Sequence, residues 1–85
     1  MIILRMNIGQ AVAKRVNDLI KQHKTTQYRL AIDTSITHNT MTNIVNAKTK
    51  SVNLKTIFLI CRELNITIDK FFDDPVFKNA DLEIE

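Results

Sequence analysis

The 85-residue sequence has little of what tight turns, disulfides and membrane spans require. It contains one glycine, one proline, one cysteine and no tryptophan. So few glycines and prolines disfavour hairpins, and a single cysteine, Cys61, can form no internal disulfide. No apolar run approaches the roughly 20 residues of a membrane helix, and His23 and His38 are not at zinc-ligand spacing from Cys61. We therefore expect a cytoplasmic protein without a membrane segment, a metal or a cofactor.

The same shortages argue against an enzyme. A single domain of this length buries only about 60 to 65 per cent of its extended surface, which disfavours a deep enzyme cleft. The sequence offers no paired carboxylates, no nucleophile beside a base and no glycine-rich phosphate loop at a useful spacing. We expect no catalysis, and nothing indicates a small-molecule ligand.

What the sequence does have is an uneven distribution of charge. Residues 1–68 carry ten Lys and Arg against three Asp and Glu, a balance of +7, whereas residues 69–85 have a balance of −4. A basic body suits a polyanionic partner, because neutralised phosphates release counterions. A solvated surface explains the same lysines, so charge alone leaves both interpretations open.

Apolar residues at spacings of three and four predict an all-α fold of five helices, over about 7–24, 26–33, 37–46, 53–65 and 67–74. Asn7, Thr26, Thr37, Asn53 and Thr67 are suitable N-caps for these helices. We divide the chain into an N-terminal extension (1–6), a helical domain (7–73) and an acidic tail (74–85).

The same spacings assign side chains to the core and to the surface. On the first helix Lys14, Arg15, Asp18 and Lys21 are predicted to turn outward. The predicted core side chains are Ile8, Val12, Val16, Leu19, Ile20, His23, Leu30, Ala31, Met41, Ile44, Val45, Leu54, Ile57, Phe58, Cys61, Leu64, Ile68, Phe71 and Phe72.

The third predicted helix has an unusual polar face. Asn39, Thr42, Asn43 and Asn46 lie at i, i+3, i+4 and i+7, opposite the apolar residues of the same segment. Asparagine and threonine are poor helix formers, so helix stability does not explain them. An amide matches the N6 and N7 edge of adenine, and a threonine methyl suits the thymine methyl. The face indicates base contacts in DNA; an irregular loop is the alternative, which the apolar stripe and the Thr37 cap disfavour.

Several landmarks in order resemble the lambda-repressor-like helix-turn-helix proteins, or XRE family. The resemblance spans about residues 8–72 and lies in the order of the landmarks more than in any one of them. They are Thr26-Gln27, Leu30-Ala31, Ser35-Ile36, Met41 and Ile44, Asn46-Ala47-Lys48, the segment 54–64, and the closing segment 65–72.

The resemblance implies a role for each matching residue. Base edges are expected to be contacted by His38, Asn39, Thr42 and Asn43. Phosphates are expected to be contacted by Gln27, Thr37, Asn46, Lys48 and Lys50. Alternatives stay open for several of these residues. Gln27 either braces a side chain of the third helix or is an ordinary exposed amide, and Thr37 can serve as the N-cap of that helix. Lys48 and Lys50 can each be a solvated charge in a loop.

The sequence departs from the family at two positions. The family usually has glycine where this chain has Ser35 and Ala47, and a left-handed backbone there costs other residues about 1 kcal/mol or more. We therefore expect an altered or slightly strained turn at these two places.

The resemblance also implies a function. It predicts a bacterial transcriptional regulator, with repression favoured over activation. The regulator is expected to bind a specific sequence of double-stranded DNA as a homodimer, with segment 37–46 in the major groove. The alternative is a protein-interaction module of the same fold, such as an antitoxin or an antirepressor.

Overall fold

The computed structural model describes residues 6–49 and 52–78, and these ranges contain six helices. The helices are α1 (Ile8–Gln22), α2 (Gln27–Thr34), α3 (His38–Val45), α4 (Leu54–Leu64), α5 (Ile68–Phe72) and α6 (Pro75–Lys78). The predicted all-α class is confirmed. The short α6 is an addition, and it lies within the segment predicted as an acidic tail.

Most helices begin at the residues that were predicted from the sequence as N-caps. The Asn7 side chain accepts a hydrogen bond from Gln10 N at 2.8 Å, and the Gln10 side chain accepts one from Asn7 N at 2.9 Å, which completes a capping box. Thr26, Thr37 and Asn53 each accept a bond from a backbone N–H of the helix that follows. Thr67 occupies the N-cap position of α5, although its side chain makes no capping bond.

Left-handed residues lie in four of the turns between helices. Ser35 (φ 61°) ends α2, Ala47 (φ 56°) follows α3, and Asn65 (φ 57°) ends α4. Ser35 and Ala47 thus adopt the conformation that glycine favours, at the two positions where the family usually has glycine. Lys24 (φ 53°) turns the chain between α1 and α2 in the same way.

The core lies between α1, the α2–α3 pair and α4, with α5 beneath. Its members include most of the predicted side chains, and Phe71, Leu19, Leu30, Met41, Ile60, Val12 and Val16 are the largest of those fully buried. The prediction is wrong for several others, which are exposed: Ile8, His23, Leu54, Phe58 and Phe72. On α4 the core stripe is Ile57, Ile60, Cys61 and Leu64.

Arg15 was predicted to turn outward, and this is also wrong. It is 8% exposed and lies against α5. Its Nε donates to the carbonyl of Phe71 at 2.7 Å, and its Nη2 donates to the carbonyl of Lys70 at 2.9 Å. Its Nη1 lies 3.4 Å from Oδ2 of Asp74. One guanidinium therefore binds the carboxyl end of α5 and the start of α6 to α1.

Pro75 ends one helix and begins another. α5 stops at Phe72, and Pro75 is the first residue of α6, where a missing N–H costs nothing. Asp74 caps this helix, since its Oδ1 accepts from Val76 N at 3.0 Å. Phe77 then packs against the core, so α6 belongs to the folded body.

Gly9 lets the start of α1 lie against the loop that follows α3. A methyl group at this position would overlap the backbone carbonyl of Thr49. The single glycine is therefore used for a close backbone approach and not for a turn.

The lone cysteine behaves as a small apolar side chain. Cys61 is buried, and burial raises the pKa of its thiol. Within residues 6–49 and 52–78, no helix has the length and apolarity to span a bilayer, and no three His, Cys, Asp or Glu residues cluster as metal ligands.

Candidate nucleic-acid interface

α2 and α3 are joined by a turn of three residues, Ser35, Ile36 and Thr37. The left-handed Ser35 reverses the chain, and the buried Ile36 anchors the turn to the core. The underside of α3 is fixed by Met41, Ile44 and Val45, which are 0%, 2% and 9% exposed. The result is a helix-turn-helix whose second helix presents its opposite face outward.

The outward face carries the polar side chains predicted to contact bases. His38 and Asn39 are exposed, and Thr42 and Asn43 are half-buried. None of the four belongs to the hydrophobic core. The segment is a regular helix, so the alternative of an irregular loop is excluded.

Gln27, the first residue of α2, is tied to this face. Its Nε2 donates to Oγ1 of Thr42 at 2.9 Å, and the amide is half-buried between the two helices. Of the alternatives left open by the sequence, the contact corresponds to a brace for a side chain of α3. Thr42 Oγ1 remains able to donate a hydrogen bond of its own, because it accepts this one.

Both ends of α3 are secured by side chains. At the amino end, Thr37 Oγ1 accepts from Thr40 N at 3.2 Å. At the carboxyl end, Asn17 Nδ2 donates to the carbonyl of Val45 at 3.0 Å and to that of Ala13 at 2.9 Å. The sequence analysis missed Asn17. The available signal was its position four residues after Ala13, on the side of α1 that faces α3.

The loop after α3 holds two of the residues expected at phosphates. Asn46 is the C-cap of α3, Lys48 follows the left-handed Ala47, and both Asn46 and Lys48 are exposed. The backbone N–H of Lys48 donates to the carbonyl of Asn43 at 2.9 Å, which ties the loop to the helix. Lys50, the remaining predicted phosphate contact, lies outside the described residues.

Two exposed aromatic rings flank the amino end of α3. Tyr28 on α2 stacks on His38, with ring centroids 4.7 Å apart and planes inclined by 25°. Arg29 is next to them on the chain, and its Nε lies 3.2 Å from Asp33 Oδ2, with its side chain 72% exposed. The Tyr28–His38 stack was not foreseen, because these residues are ten apart in sequence and no helical periodicity relates them.

A helix-turn-helix with a polar, outward second helix is the architecture of a DNA-binding domain. A family model for the Cro/C1-type HTH DNA-binding domain matches residues 15–75, and the chain belongs to this family. The resemblance inferred from the sequence is thereby confirmed.

A solved structure supports the same assignment. The crystal structure of the prophage Lp1 protein 11 is similar to this chain, with a TM-score of 0.79 and 25% identity over 88% of this chain and 99% of that one. No curated protein matches the chain.

Proposed function

We propose that the chain is a transcription regulator, acting as a repressor, that recognises a specific sequence of double-stranded DNA with α3 in the major groove. Repression is the simplest mode, because a protein that occupies an operator needs no further contact to block transcription. The proposal places the protein in the bacterial cytoplasm, together with its target DNA.

The observation that carries the proposal is the outer face of α3. Short amides and hydroxyls stand out from a helix whose opposite side is packed in the core, so the backbone that carries them is in place before DNA binds. Asparagine can bond adenine through two atoms at once, and threonine can meet a thymine methyl. We assign His38, Asn39, Thr42 and Asn43 to base edges.

A second group of residues would position this helix without selecting sequence. Thr37, Asn46 and Lys48 lie at the two ends of α3 and in the loop that follows, where the phosphate backbones would flank a helix in the groove. Gln27 combines a phosphate contact with the bond to Thr42, and Lys50 is assigned to the same group by the family resemblance. These contacts would supply affinity for any sequence.

The proposal is tested by selecting bound duplexes from a random pool. A sequence-specific regulator enriches a consensus, and its affinity for that consensus exceeds its affinity for random duplex by roughly 1,000-fold or more. A pool that stays random, together with no salt-sensitive shift of any duplex at low ionic strength, contradicts the proposal. That result would favour a protein-interaction module of this fold.

Two substitutions separate the proposed roles. Asn39→Ala is expected to cost roughly 1 to 3 kcal/mol on the consensus and to relax preference at one base pair. Lys48→Ala is expected to weaken binding to all duplexes alike and to reduce the salt slope by about one unit. The matched controls are Gln22→Ala and Lys21→Ala, an exposed amide and an exposed lysine on α1. If the controls change binding as much as the two variants do, the assignment of roles is wrong.

A further inference from the structure

The Tyr28–His38 stack makes little contribution to the core. Tyr28 remains 64% exposed in the stack, and His38 is exposed as well. Because the pair removes little apolar area from water, the main effect of stacking is to restrict the orientation of the two rings. Such a contact is of use where one of the rings must be held in a particular orientation.

The two backbones that carry the rings are already fixed. Thr26 caps α2 by accepting from Arg29 N at 3.0 Å, and Thr37 caps α3 directly before His38. The Gln27–Thr42 bond joins the two helices one residue away from Tyr28. The remaining freedom at His38 is rotation of its side chain, and the tyrosine ring lies where it limits that rotation.

Stacking leaves the useful atoms of the histidine accessible. A stacked imidazole is covered on one face, whereas its two nitrogens lie in the ring plane at the edge. A neutral imidazole has one donor and one acceptor nitrogen, and the donor suits the O6 and N7 acceptors of guanine. The ring sits on the first residue of α3, and the amino-terminal residues of a recognition helix are those that meet base edges.

We propose that Tyr28 is a specificity-determining positioning residue: its ring holds the His38 imidazole in the orientation in which one nitrogen hydrogen-bonds a base edge. The inference rests on the proposed function, because it assumes that α3 lies in the major groove. It assigns a selective role to a residue of α2 that contacts no base.

The experiment measures base preference at every position of the selected consensus, at one fixed salt concentration. It compares the wild-type chain with Tyr28→Phe, Tyr28→Ala, His38→Ala and the double variant. His38→Ala is expected to lose roughly five- to 100-fold of discrimination at one base pair. Tyr28→Ala is expected to lose roughly two- to tenfold at that same base pair. Tyr28→Phe keeps the ring and should match wild type, and the double variant should lose no more than His38→Ala.

Three results overturn the inference. Tyr28→Ala could retain wild-type discrimination, Tyr28→Phe could lose as much as Tyr28→Ala, or the double variant could add two losses at different base pairs. The second result would mean a direct contact by the hydroxyl, and the third would mean independent contacts. Thermal unfolding is followed in parallel, and Tyr28→Leu replaces Tyr28→Ala if that variant does not fold.

A measurement without DNA separates this inference from the proposed function. Ring-current shifts should move the NMR signals of the His38 ring protons upfield in the wild type and in Tyr28→Phe, relative to Tyr28→Ala. Unchanged signals overturn the inference whatever the chain binds. If the shifts are present and the wild-type chain selects no duplex, the DNA-binding proposal fails and the inference fails with it.

Discussion

Arg15 is a buried charged residue whose hydrogen bonds join α1 to α5 and α6. Its guanidinium donates to the carbonyls of Phe71 and Lys70 at the carboxyl end of α5, and it reaches the Asp74 carboxylate. The Lys70 carbonyl also accepts from Asp73 N. Bonds from a charged donor in a site this buried are stronger than neutral ones. The side chain therefore connects α1 to the last two helices.

Replacement of Arg15 by methionine should destabilise the fold. Arg15→Met keeps most of the apolar stem but removes the donor to the Phe71 carbonyl and the Asp74 carboxylate, and leaves the Lys70 carbonyl with Asp73 N alone. The expected cost is about 2 to 4 kcal/mol. Urea unfolding followed by circular dichroism measures the change. The control is Lys14→Met, which removes an exposed pair with Asp18 and should cost under about 1 kcal/mol. Equal losses in the two variants would mean that the buried bonds of Arg15 contribute no more stability than the exposed Lys14–Asp18 pair.

Helical spacing alone places Arg15 on the buried side of α1, although the sequence analysis predicted that it turns outward. It lies three residues after Val12 and four before Leu19, and so falls on the buried stripe of α1. Its charge led to the outward assignment, because arginine is almost never fully buried unless it is paired. The partners that make burial possible are more than 50 residues away, and no local pattern predicts them.

At the scale of an element, helix starts were easier to predict than helix faces. A cap depends on a few neighbouring residues, and Asn7, Thr26, Thr37 and Asn53 all cap as expected. In contrast, the apolar face of α4 is wider than the stripe that is buried, so the sequence does not decide which part of that face packs in the core. Packing against α2 and α5 selects the stripe that contains Ile60 and leaves Leu54 and Phe58 exposed.

The outer face of α3 was predictable for the same local reason. Its apolar underside and its polar top are separated by helical spacing within eight residues. The contacts that orient its side chains come from elsewhere: Gln27 and Tyr28 from α2, and Asn17 from α1. The sequence therefore located the candidate site, while the structure supplied the contacts that support it.

The left-handed ends of two turns lead to a prediction for Ser35 and Ala47. A residue with a Cβ pays roughly 1 to 2 kcal/mol in this conformation, and glycine does not. Glycine loses more backbone entropy on folding, which offsets part of this gain. Ser35→Gly and Ala47→Gly should therefore each stabilise the protein by about 0.5 to 1 kcal/mol. Thermal and urea unfolding measure the gain.

Asn65→Gly is the matched control for these two variants. Asn65 has the same left-handed backbone, but asparagine tolerates it, so glycine should change stability by only a few tenths of a kcal/mol. Destabilisation by Ser35→Gly or Ala47→Gly would mean that their side chains contribute contacts worth more than the backbone strain.

At the scale of the whole molecule, one chain presents too short a helix for high specificity. α3 has eight residues, and at about 1.5 Å per residue it is roughly 12 Å long, the length of three to four base pairs. So short a site recurs often in a genome, and paired half-sites are the usual remedy. We therefore propose that two copies bind together on DNA.

Binding as a pair predicts a symmetric site and a defined spacing. The selected consensus should be two-fold symmetric, with half-sites centred about 10 base pairs apart, and two chains should bind each duplex. Sedimentation of the complex gives the stoichiometry. Inserting five base pairs between the half-sites turns one of them to the opposite side of the duplex, so affinity should fall to that of a single half-site, whereas an insertion of ten should restore part of it. An asymmetric consensus that binds one chain, with the same affinity after either insertion, would mean that a single copy acts alone and that specificity comes from contacts beyond α3.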